Sequence, residues 1–238
     1  MIYMGGKSRI AKHIAPIVNE AVKKSNGMLF EPFCGGCNIT PYFEGNVFAS
    51  DIDENLICLF KEAIEGRVFP ETVDREMYNS AKRGDYDKAL TAYIGFCASF
   101  RGKYFAGFVG DDYIDPYGKV RRQQKWSING FNKTIKALRE MPSLTLSSLP
   151  YYELEIPDGS VIYCDPPYEG TAGYKAGSFD HGRFWEWAEM MSERNTVFVS
   201  EYSTRSGLFI PIWQKEIQTA IKASSKQSTE ILFTSLIS

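Results

Sequence analysis

The stretch Val161-Ile162-Tyr163-Cys164-Asp165-Pro166-Pro167-Tyr168 constrains this chain more than any other. Its β-branched and aromatic start reads as a buried strand. The two prolines lack the amide proton that a ladder needs, so the chain must leave the sheet at Asp165. A carboxylate and a phenol are thereby presented at a strand's C-terminal end. Ligands of open α/β sheets bind along that edge, which makes Asp165 and Tyr168 candidate site residues. Taken alone, the same tetrapeptide also fits a proline turn with a capping aspartate.

The 238 residues are enough for one domain with an insertion or for two small domains. No apolar run approaches the roughly 18 residues of a membrane span, and the N-terminal stretch lacks the apolar core of a signal peptide. The expectation is a cytoplasmic protein with no membrane association. Five cysteines, an odd number set mostly in apolar segments, fit reduced thiols better than a disulfide framework. The net charge of −2 does not advertise a nucleic-acid binder, but a basic face can sit on an acidic body.

Three N-terminal features lie upstream of the tetrapeptide. Tyr3-Met4-Gly5-Gly6-Lys7 precedes a helical pattern of Ile10, Ile14, Ile17, Val18 and Val22. A glycine pair before a helix lets backbone N–H groups approach a ligand, with Lys7 beside them. The apolar run 28–33 ends in Phe33-Cys34-Gly35-Gly36-Cys37, a strand, a glycine turn and a following helix that together make a nucleoside cradle. The G-x-G-x-x-G spacing is absent, which argues against a nicotinamide enzyme. Cys34 and Cys37 have no second pair, and His13 and His181 are the only histidines, so no metal is expected. The strand 47–50 then delivers Asp51, about 20 residues after the first strand, where an acid can accept hydrogen bonds from ribose hydroxyls. Asp53 reads as the N-cap of the next helix.

Over residues 66–142 the sheet pattern disappears. Helices are expected over 73–83, 86–99 and 129–141. Residues 100–140 carry nine cations against four acids, a local charge of +5 in an acidic chain. Basic side chains bind phosphates by releasing counterions, so Arg101, Lys103, Tyr104, Lys119, Arg121, Arg122 and Lys125 are the candidate DNA contacts, although a solvated loop would look similar. Beyond the tetrapeptide come a glycine-rich loop over 169–178, a helix over 180–192 and a strand over 196–201. An antiparallel pair, 209–214 with 229–236, follows, joined by a basic connection.

The four pieces YMGGK, EPFCGG, Asp51 and DPPY, in this order, resemble the Dam-like, alpha-group (D12 class) family of DNA adenine-N6 methyltransferases. The resemblance implies an α/β fold: a Rossmann-like S-adenosylmethionine-dependent methyltransferase sheet with helices on both faces and an inserted, mainly helical DNA-recognition segment. Residues 1–65 and 143–238 would form the catalytic domain and 66–142 the insertion. It implies that Tyr3, Lys7, Phe33, Cys34, Gly35, Gly36, Asp51 and Asp165 bind S-adenosylmethionine, and that double-stranded DNA is the partner. Asp165 and the Pro166 carbonyl would accept hydrogen bonds from the adenine amino group, with Tyr168 stacked on the extruded ring. Glu31, Pro32 and Cys37 stand where many relatives carry Asp and a further Gly, and Tyr3 where many carry Trp. Alternatives are methylation of cytosine N4 and a non-catalytic DNA-binding protein on the same fold.

Overall fold

The computed structural model describes residues 1–110, 113–114, 118, 120–169, 179–219 and 226–236. In chain order the elements begin with α1 (Ala11–Lys24), β1 (Met28–Glu31), β2 (Asn46–Ser50) and α2 (Glu54–Ile64). Next are α3 (Arg75–Arg83), α4 (Lys88–Cys97), the short strands β3 (Tyr113–Ile114) and β4 (Val120–Arg121), and α5 (Gln123–Arg139). Then follow β5 (Leu144–Ser147), β6 (Val161–Cys164), α6 (His181–Ser192), β7 (Thr196–Glu201), β8 (Phe209–Thr219) and β9 (Lys226–Ser235).

Among the described residues seven strands form one sheet in the order β5-β2-β1-β6-β7-β9-β8. The five strands from β5 to β7 are parallel, and the β8–β9 hairpin adds antiparallel beyond β7. From β1 the chain winds outward to one side through β2 and β5, then returns to β6 on β1's other side. This reversal opens a crevice at the C-terminal ends of β1 and β6.

The strands read as near-continuous apolar runs because both sheet faces are covered. Leu29, Val161, Tyr163 and Phe198 pack on one face with Ile10, Ile14 and Val18 of the α1 region. Their neighbours Phe30, Ile162, Cys164, Val197 and Val199 pack on the other with Phe184, Trp185 and Ala188 of α6. The aromatic stripe of α6 is therefore core. Helices do lie on both faces, as expected. Aspartates 53, 74, 87 and 180 cap α2, α3, α4 and α6 by accepting from first-turn amides.

The stretch 66–142 shares a core with α2. Leu56, Leu59 and Phe60 meet Tyr93 and Ile94 of α4 and Phe131, Ile135 and Leu138 of α5. Two boundaries differ most from expectation. α5 starts at Gln123 rather than 129 because buried Gln124 is held from outside the helix. Its Oε1 accepts from the Val73 amide (3.0 Å), and its Nε2 donates to the carbonyls of Val73 (2.9 Å) and Val109 (3.0 Å). The hairpin is also longer than expected, pairing from Phe209↔Ser235 to Thr219↔Lys226, which absorbs much of the expected basic connection. β7 pairs with β9 only from Ile231 to Thr234, so the outer arms carry no apolar alternation to reveal them.

The N-terminal residues run between the stretch 66–142 and the sheet. The Ile2 amide donates to Ser127 Oγ (3.2 Å). Gly102, at φ 66°, passes so close that a Cβ there would meet the Ile2 carbonyl oxygen at 2.1 Å. This close approach sets Tyr3 to Lys7 against the sheet edge.

Candidate active site

The C-terminal edge of the parallel strands gathers carboxylates. Glu31 ends β1, Asp51 follows β2, Asp165 follows β6 and Glu201 ends β7. A cavity of about 550 Å³ opens over this edge, and Tyr3, Lys7, Phe33, Cys34, Gly35, Gly36, Asp51, Asp165 and Tyr168 all line it. A second cavity, of about 1080 Å³, is lined by Pro166 and shares Lys7, Asp165 and Tyr168 with the first. Every catalytic or cofactor residue expected from the sequence thus lies at one of two adjoining cavities.

The cradle is built by hydrogen bonds between strand ends. The Cys34 amide donates to the Ser50 carbonyl (2.8 Å), tying the turn after β1 to β2. Asp51 accepts from the Gly35 amide at Oδ2 and from the Asp53 amide at Oδ1, each at 2.9 Å. Gly35 sits at φ 47°. A Cβ on Gly36 would fall 2.7 Å from Tyr3 Cβ, so only glycine lets Tyr3 lie on the turn. Burial pushes Asp51 up to about 6, against the pull of its two amide donors. Glu31 is 1% exposed, and its Oε2 is buried with no hydrogen-bond partner. Burial pushes it up to about 8. The ring of Phe33 packs into an aromatic wall, tilted against Tyr151 and edge-on to Phe179 and Phe184. Cys34 and Cys37 are buried free thiols, and among the described residues no cluster of metal-ligating side chains forms.

At the other end of the crevice a charged network holds the tetrapeptide. Lys7 is buried and bridges Asp165 Oδ1 (2.7 Å) and Glu230 Oε1 (3.1 Å). Its ammonium also lies 4.3 Å from the centre of the Tyr168 ring. Burial opposes the charge on Lys7, but the two carboxylates outweigh it and hold the lysine at about 12. Asp165 is pushed up to about 6 by burial and by Glu230, with Lys7 pulling the other way. The Tyr168 hydroxyl donates to Glu230 Oε1, and the Tyr202 ring meets Tyr168 edge-on at 4.6 Å. Glu201 accepts from the amides of Tyr202 (2.8 Å) and Glu169 (3.2 Å) and is raised to about 7 by burial.

Of the expected DNA contacts, Arg101, Lys103, Tyr104, Arg122 and Lys125 line neither cavity. Arg101 and Lys103 are exposed on the turn after α4, and Arg122 and Lys125 are exposed at the start of α5. Tyr104 is half-buried, packed on Phe96, Phe105 and Gly95. Arg121 belongs to β4, whose backbone pairs with Tyr113. Lys119 lies outside the described residues, as does the loop over 170–178. The second cavity is lined instead by Arg9, Tyr42, Trp126, Lys133 and Thr134. Tyr42 and Trp126 are 49% and 54% exposed. Trp126, Gly130, Lys133, Thr134 and Ala137 recur at helical spacing, a periodicity that marks one face of α5 once its true start is known. Glu230 and Glu201 are further site residues that the sequence did not single out.

Residues 3–91 match the model of the D12 class N6 adenine-specific DNA methyltransferase family. The chain is 26% identical to the retron Ec67 DNA adenine methylase of Escherichia coli, over 86% of this chain and 81% of that protein. Solved structures similar to it include an rRNA methyltransferase of Streptomyces viridochromogenes, with 12% identity, 94% and 83% coverage of the two chains and a TM-score of 0.40. Another is a precorrin-6y C5,15-methyltransferase of Geobacter metallireducens, with 7% identity, 93% and 87% coverage and a TM-score of 0.38. In its motifs, in residues 3–91 and in its match to an adenine methylase, the chain is similar to the D12 class N6 adenine-specific DNA methyltransferases.

Proposed function

We propose that this protein transfers a methyl group from S-adenosylmethionine to N6 of an adenine extruded from double-stranded DNA. The observation that carries this reading is the meeting of two cavities at Lys7, Asp165 and Tyr168. A methyl donor in one and an amine in the other would face each other across Asp165.

The first cavity fits the cofactor. Asp51 stands at the end of β2 to take ribose hydroxyls, and Glu31 brings a buried oxygen without a partner, suited to a cationic amino group. Phe33, Ile52 and Tyr151 supply apolar walls for an adenine ring. Bound there, S-adenosylmethionine supplies an electrophilic methyl group on a sulfonium. Asp51→Asn removes one carboxylate oxygen and should lower cofactor affinity about tenfold or more in calorimetry. Unchanged affinity would remove Asp51 from the ribose role.

The residues of this chain then prepare the amine. Asp165 accepts one N6 hydrogen bond and the Pro166 carbonyl the other, drawing the lone pair out of conjugation and toward the methyl group. Lys7 favours the charged form of Asp165, while burial makes it a stronger acceptor than an ordinary carboxylate. The Tyr168 ring forms a wall for the extruded base. Extrusion costs a few kcal/mol, so the DNA-facing surface must bind the backbone firmly.

Arg101, Lys103, Arg122 and Lys125 are exposed cations that would do that work, with residues 66–142 as the recognition segment. Neutralising Arg101, Arg122 and Lys125 together should weaken DNA binding and lower the slope of log affinity against log salt by about one for each lost phosphate contact. An unchanged slope would move the DNA-facing surface elsewhere. The reading as a whole is tested by incubating the protein with methyl-labelled S-adenosylmethionine and duplex DNA of mixed sequence. Label is expected in the DNA, and none there would defeat the reading.

A further inference from the structure

We propose that Glu230 is a positioning residue of this site. A single one of its oxygens latches the Tyr168 hydroxyl and shares the Lys7 ammonium with Asp165, so that the acceptor carboxylate and the ring wall are held as one unit. The inference rests on the methyl-transfer reading above and extends it to a strand that none of the motifs touches.

The geometry comes from the hairpin. β9 is antiparallel to β7, so its residue next to the Ile231↔Glu201 pair lies at the same edge as the ends of the parallel strands. Glu230 is that residue, and it is 4% exposed. A carboxylate so buried is stable only with donors at hand. Glu230 Oε1 has two, the Tyr168 hydroxyl and Lys7 Nζ at 3.1 Å. Lys7 in turn is 2.7 Å from Asp165 and lies over the Tyr168 ring. The prolines fix the backbone before Tyr168 but leave its ring free to turn. The hydroxyl latch stops that rotation, and the Tyr202 edge braces it from the side.

The charge on Glu230 matters as well as its shape. The groups that face Asp165 electrostatically are Lys7, Glu230 and Tyr168 in the network, Tyr163 and Cys164 on β6, Glu31 at the end of β1 and Glu201 at the end of β7. Glu230 is the carboxylate among them that competes directly for Lys7. It thereby leaves Asp165 a more basic acceptor than a private ion pair would.

Glu230→Gln keeps an acceptor for Tyr168 and removes the charge. Its kcat is expected to fall about tenfold, with KM for DNA and cofactor affinity nearly unchanged. The acidic limb of its pH–rate profile should move to lower pH, since the negative neighbour that raises Asp165 is gone. Tyr168→Phe opens the latch from the other side, and Glu230→Ala with Tyr168→Phe should cost little more than Glu230→Ala alone. A Glu230→Gln protein with wild-type rate and acidic limb would overturn the proposal. So would additive losses in the double variant with an unmoved limb, the pattern of a residue that merely supports its strand. Failure of the wild-type protein itself to methylate DNA would instead defeat the underlying reading.

Discussion

Asp165→Asn is expected to abolish methyl transfer, by about 10³-fold or more, while S-adenosylmethionine still binds. The substitution preserves volume but replaces an ionised acceptor with a neutral amide, half of which is a donor. It also leaves Lys7 with Glu230 as its sole carboxylate among the ion pairs described, so the ammonium is drawn away from the reacting amine. Cofactor affinity should change little because the cradle is anchored by Asp51 and the glycine turn, whose hydrogen bonds do not involve Asp165. The comparison is single-turnover methylation beside calorimetric cofactor titration. A variant with more than about a tenth of the wild-type rate would remove Asp165 from the chemistry, and parallel loss of both readouts would make it a cofactor anchor instead.

Glu31→Gln should raise stability at alkaline pH. In the native protein Glu31 is held at about 8, far above an exposed glutamate, because its carboxylate is buried with one oxygen unpartnered. Such a group favours the folded state when protonated. That contribution is complete below the unfolded carboxylate's range near 4 and is lost as pH rises through about 8. Asp165, at about 6, and Glu201, at about 7, act in the same direction over lower windows. Wild-type Tm is therefore expected to fall between pH 5.5 and 9, with glutamine at position 31 recovering on the order of 5 °C at the upper end. Added cofactor should narrow the difference, since a cationic group against Glu31 restores the charge balance. Melting curves that run parallel for the two proteins across this range would show that Glu31 does not titrate in the folded state.

The parts of this protein that sequence makes legible are those whose chemistry is local. A strand that must end at two prolines, a glycine turn and an acid after the second strand depend on neighbours in the chain, and all three line the first cavity. Lys7 was legible as a ligand-facing residue, but its ion pairs with Asp165 and Glu230 were not, because they join the first few residues to β6 and β9. Glu230 itself falls at the start of the expected strand 229–236, but nothing local shows which strand that one joins, and only its antiparallel addition to β7 brings it to the site. The true start of α5 was hidden for a similar reason. Gln124 looks like a surface residue until Val73 and Val109 are seen to bury it. With Gln124 placed, Trp126 and Lys133 come round to the second cavity.

The role of Asp165 has also become more definite. In sequence it reads as a hydrogen-bond acceptor, and the structure adds that burial and Glu230 raise it while Lys7 keeps it charged. In the proposed reaction it is an acceptor strengthened by burial, with the Lys7 ion pair favouring its charged form.

The most direct test of this account is to incubate the protein with S-adenosylmethionine and unmodified genomic DNA, then sequence the DNA with modified-base detection. N6-methyladenine confined to one short recurring sequence, and absent with Asp165→Asn, is the predicted result. Methylation at cytosine N4, or DNA that emerges unmodified, would contradict it.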